Sequence, residues 1–220
     1  MPVQRMGRFC TMPLSVFQGA VGERMMKSYN RADTNDGGDG GDTCRYGGQR
    51  VRKCHPLVVA NGEIDELSAH LGLCRASAAS AASQAGAQFG CATIEAILEC
   101  VQADLVALGA MLAVDAGQAP PAAIDDEDVA RLEAAIAKTG KGLRPLKRFI
   151  VPGGCELACR LHVARCVCRR AERSLVLAMD AHLAVPLPAL RYLNRLGDLL
   201  FTLARRANCI AGAEERPWRP

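Results

Sequence analysis

Aromatic residues are scarce in this 220-residue chain, with one Trp, three Tyr and five Phe, and the shortage argues against a core built from sheets. A strong charge of one sign is also missing. The net charge of +4 comes from dispersed arginines and does not by itself indicate a nucleic-acid partner. No run approaches the length of apolar residues needed to span a bilayer, so a soluble protein with no membrane partner is expected. No GxxxxGK(S/T) phosphate loop is present. Cysteines number eleven, an odd count in a chain large and apolar enough to fold without staples, which points to a reducing compartment rather than a disulfide framework.

What the chain does have is alanine and leucine in abundance, with half of its residues apolar. That length and composition favour one domain with a single sizeable core, and the strong helix formers favour an all-α bundle. The organising stretch is FIVPGGCELACRLHVARCVCRRAER, Phe149 to Arg173. Pro152, Gly153 and Gly154 make a turn that opens a helix at about Cys155. At about 100° per residue, Leu157, Leu161, Ala164, Cys168, Ala171 and Leu175 form an inward stripe, with Arg165, Arg169 and Glu172 beside it. Arginine keeps its charge and is costly to bury alone. Arg165 and Arg169 therefore need carboxylates or phosphates from outside their own helix, unless the face is simply solvated.

Further helices are expected from Leu57 to about Ala82, from about Cys91 to Val114, from Asp125 or Asp126 to about Lys138, and from about Ala189 to Asn208. With the helix from Cys155 to about His182 they make five. Asp65 lies just off the first stripe, and the low-complexity run from Arg75 to Gln88 is expected to fray into a linker. The last helix carries Asn194, Asp198, Phe201 and Arg205 on a strip beside its apolar face. Between Tyr29 and Arg52 the glycine-rich sequence reads as loop, either a flexible linker or a device that aims backbone N–H groups at an anion, with Arg50 and Lys53 supplying charge. Residues 139 to 148 form a basic loop. Residues 1 to 28 are a basic, acid-poor leader that fits a mitochondrial transit peptide or a disordered extension. The folded domain then spans residues 29 to 210, and residues 211 to 220 form a mobile tail with Trp218 exposed or docked. The pairs His70 with Cys74 and Cys159 with His162 have helical ligand spacing, but no third ligand is evident, and they read as core or surface residues.

In combination GDGGDT at Gly38 to Thr43, GQRVRK at Gly48 to Lys53, NGEIDELSAHLG at Asn61 to Gly72, FIVPGG at Phe149 to Gly154, LHVARCVCRRAER at Leu161 to Arg173 and YLNRLGDLLFTLAR at Tyr192 to Arg205 resemble the ATP:cob(I)alamin adenosyltransferases of the propanediol-utilisation and human mitochondrial type. The resemblance covers roughly residues 29 to 208. It implies a five-helix bundle of ferritin-like up-and-down arrangement, a homotrimer with active sites between subunits, and corrinoid adenosyltransferase activity on cob(I)alamin or cob(I)yrinic acid a,c-diamide. Gly38, Asp39, Gly41 and Thr43 would shape the loop over the ATP phosphates, with Arg50 and Lys53 beside it. Arg169, Glu172 and Asn194 match further residues of the ATP and Mg²⁺ site. Asp65 matches the acid that pairs with Arg165 across the subunit boundary, and Phe149 the aromatic under the corrin ring, where the residues alone also allow an ordinary core aromatic.

ADTNDG at Ala32 to Gly37 intervenes where the family runs directly into Gly-Asp, and Gly197 stands where a serine is common. A catalytically weakened trimeric carrier that delivers cobalamin is the alternative that this insertion leaves open. The implied partners are a reductase and an adenosylcobalamin-dependent mutase, and the implied location is the mitochondrial matrix or else the cytoplasm.

Overall fold

The computed structural model describes residues 38–45, 48–83, 88–114 and 119–219. Five helices form a bundle: α1 (Pro56–Ala82), α2 (Gln88–Ala113), α3 (Asp126–Gly140), α4 (Glu156–Asp180) and α5 (Leu187–Ala211). α1 packs on α2 and α4, α4 packs on α5, and α5 carries α3. The inward stripe expected on α4 is buried as a whole, from Leu157 through Leu175. It meets Leu67 and Leu71 of α1 and Leu193, Leu196 and Leu200 of α5 in one apolar core.

Sequence punctuation sets the helix ends. Asp125 caps α3 through a capping box with Asp128, and three acids in its first turn suit the helix dipole. Pro186 and a proline in the first turn open α5, so this helix begins two residues earlier than expected. Gly212 ends it in a left-handed conformation. α1 does not fray at Arg75. Arg75 donates to Glu99 and Gln102 of α2, and Ala78 is buried, so the small residues after it allow close packing and the helix continues to Ala82. Residues 84–87 of the expected linker lie outside the described residues, as does the leader.

The glycine-rich region departs from the expected loop. Asp42–Cys44 (β1) and Arg50–Arg52 (β2) pair antiparallel, with Thr43 opposite Val51. A β-branched cross-strand pair and the ion pairs of Asp42 with Arg50 and Arg52 hold these short strands. Gly41 supplies the φ of +83° at the entry to β1. Arg45 donates to the carbonyls of Leu112 and Val114, which ties the hairpin to the last turn of α2.

α2 also corrects the reading that no stretch is long enough for a bilayer: Gly90–Ala113 has 24 residues and a mean hydropathy of 1.7. Its apolar side is nevertheless core, and it carries the buried Asp104. Arg131 of α3 donates to both oxygens of Asp104 at 2.8 and 2.7 Å, and the Tyr192 hydroxyl of α5 donates to it at 2.7 Å. A buried carboxylate with three donors is tolerated where an unpaired one is not. This cluster joins α2, α3 and α5.

One contact positions everything that follows. Gly154 has a φ of +109°, and a Cβ there would overlap the Asn208 carboxamide. That carboxamide accepts from Cys155 N at 2.9 Å and donates to Gly153 O at 3.0 Å, so α5 closes the turn that starts α4. Asn208→Ala is expected to lower the unfolding free energy by about 1–3 kcal/mol through the unpaired turn groups. Gly154→Ala should cost at least as much, with both read by urea denaturation.

Candidate functional site

The Pro-Gly-Gly turn leads the chain into the start of α4, and the segment before it forms one wall of a cavity of about 900 Å³. Residues 146 to 150 and Pro152 supply that wall. His162, Arg165 and Arg169 of α4 face Gly197, Asp198 and Phe201 of α5, and Trp218 of the tail completes the lining. Phe149 is 84% exposed, which removes the reading of it as a core aromatic. An aromatic of that size left in water forgoes roughly 1.5–3 kcal/mol of burial.

The tail expected to be mobile folds back along this wall. Val151 N donates to Arg216 O and Trp218 N donates to Phe149 O, each at 2.8 Å, with Ile150 paired to Pro217. Arg205 fastens it, through Glu215 at 2.7 Å and the carbonyl of Arg144 at 2.6 Å. Arg205 thus bonds outside its helix, whereas the Asp198 carboxylate pairs within its helix with Arg195 at 3.2 Å.

Arg165 and Arg169 both line the cavity, and neither forms an ion pair among the described residues. The Arg165 guanidinium lies 5.3 Å from the centre of the Phe201 ring, a cation–π contact that offsets part of its lost hydration. Glu172 and Asn194 meet in a separate groove, the amide donating to the carboxylate at 2.8 Å. Asp65 lies exposed on α1, its pKa raised by partial desolvation with no cation to offset it. It does not meet Arg165 within the protomer. The α1 acids that reach α4 are Glu63 and Glu66, both against Arg170.

Gly38, Asp39, Gly41, Thr43, Arg50 and Lys53 gather on the hairpin. Lys53 N donates to Gly41 O at 2.9 Å, and Gly41 N donates to Gly38 O at 3.2 Å. None of these residues lines the cavity, so the candidate ATP residues fall into two sets, one on the hairpin and one on α4 and α5. A Cβ at Gly197 would make only an ordinary 3.9 Å contact with Arg169, which fits a simple packing change there. Among the described residues no cluster of three or more His, Cys, Asp or Glu could hold a metal. The insertion at 32–37 lies outside the described residues.

A profile of the cobalamin adenosyltransferase family matches residues 34–207. The chain belongs to that family. It is 43% identical over 171 residues to the corrinoid adenosyltransferase PduO of Salmonella typhimurium, covering 76% of this chain and 47% of that one. It is 42% identical over 177 residues to the corrinoid adenosyltransferase of Mycobacterium tuberculosis strain H37Rv, covering 78% and 86%. The chain thus spans about half the length of the PduO relatives from Salmonella typhimurium and Citrobacter freundii. Among solved structures, a variant of the PduO-type ATP:corrinoid adenosyltransferase from Lactobacillus reuteri, complexed with cobalamin and ATP, superposes with a TM-score of 0.74 at 30% identity. That match covers 85% of this adenosyltransferase-family chain and 98% of the other.

Two cavity residues escaped the sequence reading of this family member. Trp218 was visible as the single tryptophan, but nothing local says that the tail returns to Phe149. His162 read as one more helical histidine. It is 4% exposed, its ring is 6.1 Å from that of Phe201, and neither ring nitrogen has a partner among the described residues. Burial lowers its pKa, the nearby Arg165 lowers it further, and Glu215 opposes both. The imidazole is therefore neutral in the folded chain at neutral pH. Because the folded pKa lies below the unfolded one, the corresponding stability is present above about pH 6.5 and is lost as the pH falls. His162→Met should flatten the fall of unfolding free energy between pH 7.5 and 5.5, measured by urea denaturation at each pH.

Proposed function

We propose that this chain transfers the 5′-deoxyadenosyl group of ATP to the cobalt of cob(I)alamin, giving adenosylcobalamin and triphosphate. The observation that carries this is the exposed Phe149 in a cavity of about 900 Å³ whose inner wall holds two arginines that form no ion pair among the described residues. Phe149, Ile150, Phe201 and Trp218 offer apolar surface to a broad, flat ring. Arg169 and Lys53 suit the negative charge that develops on the departing triphosphate.

The chemistry needs no general base. The electron pair of the reduced cobalt forms a bond to C5′ of ATP, the C5′–O bond breaks, and its electron pair leaves with triphosphate. The chain positions the two substrates and keeps water away. Phe149 below the ring excludes a lower axial ligand and so eases reduction of Co(II) to Co(I). Magnesium bound with a nucleotide takes one or two carboxylates plus phosphate oxygens, and Glu172, oriented by Asn194, fits that role beside ATP.

The division of the ATP residues into two sets, and the unpaired Asp65 and Arg165, support a homotrimer in which one subunit's hairpin faces another's α4. Val163 and Leu177 on α4 and Val59 and Leu73 on α1 are between 41% and 64% exposed, apolar surface that such an assembly would cover. A reductase that supplies low-valent cobalt and a mutase that uses the product are the partners this chemistry calls for. The basic leader supports a mitochondrial matrix location over the cytoplasm.

Purified protein mixed with ATP, Mg²⁺ and chemically reduced cobalamin without oxygen should convert the corrinoid spectrum to the adenosyl form. Cobalamin binding without conversion would favour the carrier reading. Phe149→Ala should keep ATP affinity and lose most turnover that starts from Co(II) and a reductant. Arg169→Ala should severely weaken ATP use, and normal ATP binding by that variant would overturn its phosphate role. Asp65→Ala should alter assembly, read by sedimentation, or cobalamin binding.

A further inference from the structure

The cavity is lined by four cations, Lys147, Arg148, Arg165 and Arg169, and by one acid, Asp198, which is already paired with Arg195. Its histidine is neutral. The proposed function gives Arg165 and Arg169 their anions, a subunit carboxylate and a phosphate. Lys147 and Arg148 remain. Both are exposed on the basic loop immediately before Phe149, and neither forms an ion pair among the described residues.

The returning tail holds this loop in place. Ile150 is opposite Pro217, and Val151 N and Trp218 N donate to Arg216 O and Phe149 O, so the segment that follows Lys147 and Arg148 is fixed at the rim of the cavity.

A cavity of about 900 Å³ is at the upper end of what encloses one ordinary ligand. Cobalamin is a corrin ring with a nucleotide tail, and when cobalt loses its lower ligand that tail swings free of the ring. The tail carries one phosphodiester, the only formal negative charge on its periphery. Planar guanidinium forks match phosphate oxygens in pairs.

We propose that Lys147 and Arg148 form a subsite for the phosphodiester of the displaced nucleotide tail, so that the chain distinguishes complete corrinoids from those lacking the tail. This rests on the reading of the cavity as the corrinoid site. The subsite holds the tail away from cobalt while Phe149 occupies the space that the tail has left.

Trp218, the single tryptophan, lines the cavity and reports entry of a corrinoid through quenching of its fluorescence. In low salt and without ATP, the unaltered chain should bind cob(II)alamin about five- to tenfold more tightly than cob(II)inamide, which has no nucleotide, as two exposed charge contacts allow. About 0.5 M salt should remove that preference. The double variant Lys147→Gln with Arg148→Gln should bind cob(II)alamin at the affinity of cob(II)inamide, with cob(II)inamide and ATP affinities unchanged.

Equal affinities in the unaltered chain, a preference that survives salt or the double substitution, or a parallel loss for both corrinoids would overturn the subsite. Loss of ATP affinity in the variant would assign the cations to the triphosphate and overturn it as well. Quenching by neither corrinoid would overturn the corrinoid reading itself, and the salt comparison needs no variant to fold.

Discussion

A single carboxamide decides where the site can be. Asn208, on α5, satisfies a donor and an acceptor of the turn that precedes α4, and Gly154 leaves it the room to do so. The net energy of two such bonds is modest, but their geometry is not negotiable. They fix the start of α4 against the end of α5 and so bring the arginines of one helix opposite Phe201 of the other. They also set the direction in which the chain enters from Phe149. Loss of this register would turn the cavity wall, even with the apolar core intact.

The bundle treats its charges in two ways. Asp104 lies 4% exposed in the core, and its partners Arg131 and Tyr192 come from two other helices, so no buried charge is unmatched there. Along the edge of α4 the balance is absent among the described residues: Arg165 lies against the Phe201 ring, and neither it nor Arg169 forms an ion pair there. A fold that pairs its interior charges and leaves others open on a concave face keeps those others for ligands or neighbouring subunits. Asp65 shows the same property from the opposite sign, an acid partly desolvated on a helix whose other acids are engaged.

Much of the architecture was legible because it rests on local rules. Helical spacing located the α4 stripe, Asp125 announced α3, and Pro152 to Gly154 announced the start of α4. The errors arose where contacts distant in sequence outweighed local preference. Glycine density hid the hairpin, because the anchoring of Arg45 on α2 and the Asp42 ion pairs lie outside any propensity. Alanine and serine density suggested fraying after Arg75, though small side chains are what let α1 lie close to its neighbours. Of the residues that line the cavity, the motifs pointed to Phe149, Arg165 and Arg169, while Glu172 and Asn194 lie in a separate groove, and the return of the tail was invisible, since it depends on Arg205 finding Glu215.

Arg205 holds both the tail and the loop at Arg144, so two sides of the cavity hang from one guanidinium on α5. The segment from Glu215 to Trp218 is thereby a structural part of the opening. Shortening that one guanidinium would release both sides at once and widen the cavity without disturbing the apolar core, so the size of the opening is set by a side chain that never touches Phe149.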